Sequence, residues 1–331
     1  MNSLNIFRSG KWAHRIQAGL VGLILGSIVS VIIKTWGQIY HIQWHFNFVF
    51  LLFSIFIVTS LTIAWAFIWS WLLRQIGGTS ISMHQTVSVY IYGNASKYIP
   101  GSVWNYMSKA YLGGKAGYKQ QDIWIANIIE FIGSIVTGFI IYQISFFWPH
   151  THALLVSPIL LLVGTLVLFF VNSPIGLEWF FSIVQVWRKK KTNGRNISLK
   201  FGHYCVYILV SCLIWSGAGV GFYLFLQSFY SFNPMYLPQV VGIWSFVASI
   251  GLLAIGFPQG FGIKEGLLIL LLSATLPFSI VFSLAILSRA WTIFCDLLAL
   301  LLWGLVDVLW FRQPKIPGTH PVSIHVKTTK D

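Results

Sequence analysis

Charged residues are scarce in this sequence. Only 8% of the 331 residues are Asp, Glu, Lys or Arg, whereas about one quarter of a soluble domain is charged. The hydrophobic share is 56%, and the mean hydropathy is +0.77. This composition excludes a soluble globular chain and also intrinsic disorder, which requires low hydrophobicity. It predicts an all-α, polytopic helical membrane protein.

Cysteine and recognisable catalytic motifs are also rare. The three cysteines lie in apolar runs without a CxxC pair, so we interpret them as packing residues. The sequence contains no DxD, HExxH or G-x-S-x-G motif, and the close pair His150 and His152 has no acid nearby. We therefore expect no catalytic residues, no metal and no cofactor, and we interpret the protein as not being an enzyme.

Long apolar runs predict about eight spans, because a spanning helix needs roughly 20 apolar residues. We expect residues 1–311 to form a single transmembrane domain. Residues 312–331 contain prolines, threonines and lysines without periodicity, which predicts a disordered cytoplasmic tail. The predicted spans are 16–33, 46–73, 123–147, 153–171, 204–229, 240–255, a short piece at 266–276, and 280–311.

Basic residues predict the orientation. The net charge is +14, from 21 Lys and Arg against 7 Asp and Glu. These bases concentrate in every second connection, as in the group between the second and third spans. This pattern predicts a multi-pass protein of the plasma membrane with both termini in the cytoplasm. No basic-aromatic recognition motif is present, so we expect no nucleic-acid partner. The group between the second and third spans comprises Arg74, Lys97, Lys109, Lys115 and Lys119.

The connection between the second and third spans is unusually apolar. Pro100 and Gly101 break it at its centre, and Lys97 lies three residues before the proline. One interpretation is a helix, a break and a second helix that dip into the protein, where free backbone N–H groups and Lys97 would hold an anion. The alternative is an amphipathic helical hairpin on the cytoplasmic surface.

A second break interrupts the apolar stretch near the C-terminus. It contains Pro258, Gly260 and Gly262, and Lys264 and Glu265 then open a short apolar helix. Interrupted helices of this kind are typical of transport sites. The alternative is a tight cytoplasmic turn in which a first-turn glutamate satisfies the helix dipole. Together the two segments predict two broken or re-entrant helices.

Four charged residues lie inside predicted spans, where charge is costly. One of them, Asp307, lies near the membrane edge, and we interpret it as structural. Glu130 lies on a small, polar face of the third span, which we expect to point into the bundle. Arg289 and Asp296 are seven residues apart and share one face of the last span. Asp296, Glu265 and Glu130 all remain open as partners of Arg289, and a purely structural ion pair is an alternative.

These motifs, taken in order, resemble the transmembrane, flippase-like region of the lysylphosphatidylglycerol synthase family. The match comprises Lys97-Tyr-Ile-Pro-Gly-x-Val-Trp104, a Gly-containing basic segment that ends near Gly117, Glu130, Pro258-x-Gly-x-Gly-x-x-Glu-Gly266 and Arg289. The resemblance implies lipid handling without synthesis, because the family's aminoacyl-transferase activity lies in a separate soluble domain that this chain lacks. One departure is Phe131, where relatives often place a basic residue, so the head group handled here is expected to differ.

The resemblance and the residues together predict a lipid translocase that moves an anionic, aminoacylated or polyprenyl-linked lipid between leaflets. Alternatives are a membrane-embedded glycosyl or acyl transferase, or its accessory subunit, and an ion-coupled anion transporter. The expected partners are membrane lipids and a lipid-modifying or glycosylation enzyme. The predicted head-group site comprises Lys97, Tyr98, Pro100, Gly101, Trp104, Glu130, Pro258, Gly260, Gly262, Lys264, Glu265, Arg289 and Asp296.

Overall fold

The computed structural model describes residues 44–78, 81–98, 103–148, 158–176, 199–231, 233–254 and 257–311. Within these ranges every regular element is helical and no strand occurs, which confirms the all-α prediction. The helices are α1 (Phe48–Gly77), α2 (Met83–Asn94), α3 (Trp104–Lys115), α4 (Gln120–Ser145), α5 (Pro158–Asn172), α6 (Phe201–Phe229), α7 (Leu237–Leu253), α8 (Ile263–Leu272) and α9 (Phe278–Val306).

Five helical segments in the described part of the chain are long and apolar enough to cross a membrane. They coincide with predicted spans and differ by a few residues at their ends. The total of eight spans stays a prediction. The predictions for 16–33, for His150 and His152, and for 312–331 concern residues outside the described ranges. The five segments are Phe48–Gly77, Gln120–Ser145, Phe201–Phe229, Pro234–Leu253 and Phe278–Leu309.

Local capping defines where the first described helices begin. The Asn47 side chain accepts hydrogen bonds from the backbone N–H groups of Val49 and Phe50, at 3.0 and 3.3 Å. The Ser82 hydroxyl accepts one from the N–H of Gln85 at 3.2 Å. These side chains satisfy donors that a helix leaves free in its first turn.

Two hydrophobic clusters hold the bundle together. One is centred on α6, α7, α8 and α9 and includes Phe222, Phe225 and Trp291. The other joins α1, α2, α4 and α6 around Trp69 and Tyr204. Helix α1 packs on α6, helix α4 packs on α7, and helix α9 lies against α1 and α8.

The polar face of α4 is buried, as the sequence predicts. Asn127, Glu130, Ser134 and Thr137 are all at most 6% exposed. Small residues let backbones approach closely in membrane bundles, and Gly138 does so here against α7. The Ser249 hydroxyl donates a hydrogen bond to the Ser134 carbonyl oxygen at 3.1 Å across the same interface.

The first break is integrated into the bundle. Helices α2 and α3 flank it, with a 3-10 turn at Ala95–Tyr98 between them. They pack on α1, α4 and α9, and Val87 and Lys109 are completely buried. One face of this segment is therefore packed against the bundle, and the alternative of a hairpin on the cytoplasmic surface stays open.

The second break consists of a 3-10 turn at Pro258–Gly260 followed by α8. Helix α8 has 10 residues, which corresponds to about 15 Å, whereas the hydrocarbon core is about 30 Å thick. A crossing by this piece therefore requires residues beyond α8 itself, and it stays a prediction.

Replacing Gly138 with Ala should destabilise the fold. A methyl group there would lie 2.6 Å from the Ser245 carbonyl oxygen and would collide with Ser249. Overpacking of this kind costs about 1–3 kcal/mol, so the thermal transition in detergent should shift down. Gly164→Ala is the matched control, because nothing lies within 4 Å of the added group. Equal transitions for the two variants would contradict the packing described here.

Candidate functional site

The described part of the first broken segment meets the second break. The turn Ala95–Tyr98 contacts the turn Pro258–Gly260, and it also contacts α9. The second turn packs on α7. Irregular backbone at membrane depth is tolerated where protein buries it or where it lines a wet cavity, and Lys97 and Gln259 of the two turns line a cavity here.

The first break is fastened to α9 by a carboxylate. The Lys97 Nζ atom lies 2.8 Å from Asp296 Oδ2. The Tyr98 hydroxyl donates a second hydrogen bond to the same oxygen. The side chains of Lys97 and Asp296 are 18% and 13% exposed, so two residues of one short turn converge on one largely buried acid.

The second break depends on backbone that only glycine adopts easily. Gly260 and Gly262 have φ angles of 68° and 84°, in the left-handed region. A Cβ atom on Gly260 would also lie 2.7 Å from the Gly251 carbonyl oxygen. Gln259 shares the left-handed conformation, with φ 54°, so it carries local strain that the surrounding contacts must hold.

Arg289 supplies those contacts from α9. Its Nη1 atom lies 3.3 Å from Glu265 Oε1 and donates to the Gln259 carbonyl oxygen at 3.3 Å. Glu265 also accepts the N–H of Gly262 at 2.7 Å through Oε2. Of the partners left open for Arg289, the structure selects Glu265, while Asp296 and Glu130 bind other bases.

Glu130 is paired with Lys109 of α3, which is completely buried. The Lys109 ammonium lies 5.3, 4.7 and 4.8 Å from the ring centroids of Trp69, Tyr90 and Tyr106. The Tyr90 hydroxyl donates to Glu130 Oε1 at 2.9 Å. The ammonium therefore gains a carboxylate and three aromatic faces in place of water.

A cavity of about 570 Å³ opens beside these pairs. Its charged lining consists of Lys97, Glu130, Lys264 and Asp296. The first turn of α3 also faces it, and no side chain caps that helix start. The remaining lining is largely apolar and includes exposed residues at the cavity margin, namely Val103, Trp124 and Ile128, which are 46%, 42% and 36% exposed.

The structure brings most of the predicted residues together. Tyr98, Lys264, Glu265 and Arg289 line a small second cavity that shares Gln259 and Lys264 with the large one. Trp104 lies at the start of α3, is 42% exposed, and is not among the described residues that line either cavity.

The backbone residues of the prediction fall in two groups. Gly260 and Gly262 shape the second break, and Pro258 lies in its turn. Pro100 and Gly101 lie outside the described residues, so their part of the prediction stays open.

Sequence reasoning missed Lys109. We placed it among the cytoplasmic loop bases, and that placement is wrong, because burial against Glu130 removes it from any loop surface. A signal was present in the helical spacing, since Tyr106, Ala110 and Gly113 share its face of α3. An apolar helix face with one lysine needs a buried acid, and Glu130 had no assigned partner.

Residues 19–304 match the family model of the lysylphosphatidylglycerol synthase TM region. The chain belongs to this family. The match covers most of the 331 residues and confirms the resemblance that the motifs indicate. This lysylphosphatidylglycerol synthase TM-region protein is therefore a membrane protein related to lipid handling. No curated protein matches the chain.

In this lysylphosphatidylglycerol synthase TM-region protein, Lys109→Met should be strongly destabilising. Removing one partner of a buried ion pair leaves the other charge uncompensated, which costs about 3–5 kcal/mol. Thermal unfolding in detergent measures the change. Lys115→Met is the matched control on the same helix, because Lys115 is exposed. Adding Glu130→Gln to Lys109→Met should recover part of the loss; a double variant no more stable than the single one would contradict the pairing.

Proposed function

We propose that the protein is a lipid translocase, which moves a lipid with an anionic, aminoacylated or polyprenyl-linked head group between leaflets. The observation that carries the proposal is the meeting of two broken helical segments at a cavity with charged walls, within a bundle of membrane-length helices. The head group occupies the cavity, and the acyl chains remain in the bilayer.

The charged lining supports this role on energetic grounds. A polar head group that crosses hydrocarbon loses its hydration, which costs several kcal/mol or more. Lys97, Lys264 and the polar backbone at the two breaks replace water for a head group in the cavity. The head group then no longer needs its own hydration shell, because fixed charges and dipoles of the protein provide the polar contacts.

The cavity margin supports a lipid rather than a soluble substrate. Val103, Trp124 and Ile128 are apolar, line the cavity and are substantially exposed. A lipid needs such an apolar margin for its tails, whereas a dissolved anion does not. Within the proposal the protein performs no covalent chemistry and works beside a lipid-modifying or glycosylation enzyme in the plasma membrane, with both termini in the cytoplasm.

Leaflet exchange in reconstituted vesicles tests the proposal. Purified protein should make an inner-leaflet fluorescent lipid accessible to an external quencher, whereas protein-free vesicles should not. Arg289→Gln should slow this exchange at least about tenfold, since it removes a charge-assisted contact of about 1.5–3 kcal/mol that holds the second break. Lys115→Gln is the control, because Lys115 is exposed on α3 and does not line the cavity among the described residues.

A folded parent protein that leaves every tested lipid in its leaflet would refute the translocase assignment. Uptake of a labelled soluble anion by the same vesicles, without lipid exchange, would instead support an anion transporter. Exchange by Arg289→Gln at the parent rate, in protein that elutes as the parent does on size exclusion, would show that the second break is not needed.

A further inference from the structure

Each acid around the two cavities forms an ion pair with a base of the protein. Asp296 pairs with Lys97 at 2.8 Å, and Glu265 pairs with Arg289 at 3.3 Å. Glu130 pairs with Lys109. Each carboxylate therefore has a basic partner of its own, and the part of the chain that the structure describes leaves no carboxylate at the cavity free to receive a cationic group.

Lys264 is the base that remains. No carboxylate oxygen of the described residues lies within 4.0 Å of its Nζ atom, whereas the three other bases at the site each have one. Lys264 lines both the large cavity and the small one. Among the described residues the site therefore holds four bases against three acids, so a protonated Lys264 leaves it with one uncompensated positive charge.

The side chain of Lys264 packs against α7. Its methylene chain lies on Gly251, and a Cβ atom at Gly251 would collide with the Lys264 Cε atom. Burial and the nearby bases Arg289 and Lys97 lower the pKa of Lys264 to about 8, while Glu265 and Asp296 act in the opposite direction, so the side chain is mainly an ammonium group at pH 7. An uncompensated charge at membrane depth is costly, which favours a ligand that neutralises it.

We infer that the site selects a head group with a single net negative charge, a phosphodiester monoanion that pairs with Lys264. This inference rests on the proposed function. A zwitterionic head group would leave the excess charge uncompensated and would bring a second cation among bases. A dianionic phosphomonoester would leave one negative charge in excess once Lys264 is neutralised.

Two kinds of lipid carry this chemistry. A glycerophospholipid such as phosphatidylglycerol has a phosphodiester monoanion, and so has a polyprenyl phosphate that carries a neutral sugar. Because the charge argument does not distinguish them, both are arms of the experiment.

The test measures binding without transport. Thermal shifts of the full chain in neutral detergent at pH 7.5 are titrated with dihexanoyl phosphatidylglycerol, dihexanoyl phosphatidylcholine, dihexanoyl phosphatidic acid and a short polyprenyl phosphoglucose. We expect one or both monoanions to bind about ten- to hundredfold more tightly than the zwitterion, as one charge-assisted contact predicts, and also more tightly than the phosphomonoester.

The variant Lys264→Gln should lose this preference by the same factor, with little change for phosphatidylcholine, and Lys264→Arg should keep most of it. Lys115→Gln is the matched control and should bind as the parent does. If Lys264→Gln does not fold, the order of the four ligands on the parent protein still decides the question.

Three results would overturn the inference: equal binding of the monoanions and the zwitterion, tighter binding of the phosphomonoester, or an unchanged preference in folded Lys264→Gln. Leaflet exchange of lipids regardless of charge would then leave the translocase proposal intact. Conversely, monoanion-selective binding by a protein that exchanges no lipid would refute the translocase proposal and would support the charge selectivity of the site.

Discussion

The attachment of both chain breaks to one helix is the constraint on which the site depends. Helix α9 presents Arg289 to the second break and Asp296 to the first. These residues are seven apart, so they lie on the same face about two turns, or roughly 10 Å, from each other. Without these contacts, the left-handed backbone at Gln259 and the turn Ala95–Tyr98 would have little to hold them beside a cavity.

Ion pairs of this kind specify an arrangement more than they add stability. Taking two charges out of water costs about as much as their attraction returns, whereas breaking such a pair is expensive. The bundle gains its stability from its two apolar clusters. The pairs decide which of many apolar packings is adopted, because any other register would leave a charge alone. The aromatic faces around Lys109 serve the same end, since they restrict where its ammonium group is tolerated.

The sequence predicts the helices better than it predicts their contacts. Long apolar runs locate α1, α4, α6 and α9 closely, because a membrane-spanning helix is defined by local composition. Proline and glycine locate the second break for an equally local reason. The acid that each of Arg289 and Lys109 meets depends on which helices become neighbours, and that information is not contained in the periodicity of either helix. The order of the motifs indicated the family, but it did not indicate which acid pairs with which base.

The close crossing of α4 and α7 limits how this protein moves. At Gly138 an added methyl group would lie 2.6 Å from the Ser245 carbonyl oxygen, and the hydrogen bond from Ser249 to Ser134 joins the helices at the same crossing. A sliding displacement of one helix along the other would drive Gly138 into side chains that cannot yield. We therefore expect the two helices to move as one unit, so that the rearrangements of the proposed transport cycle fall on the elements around them.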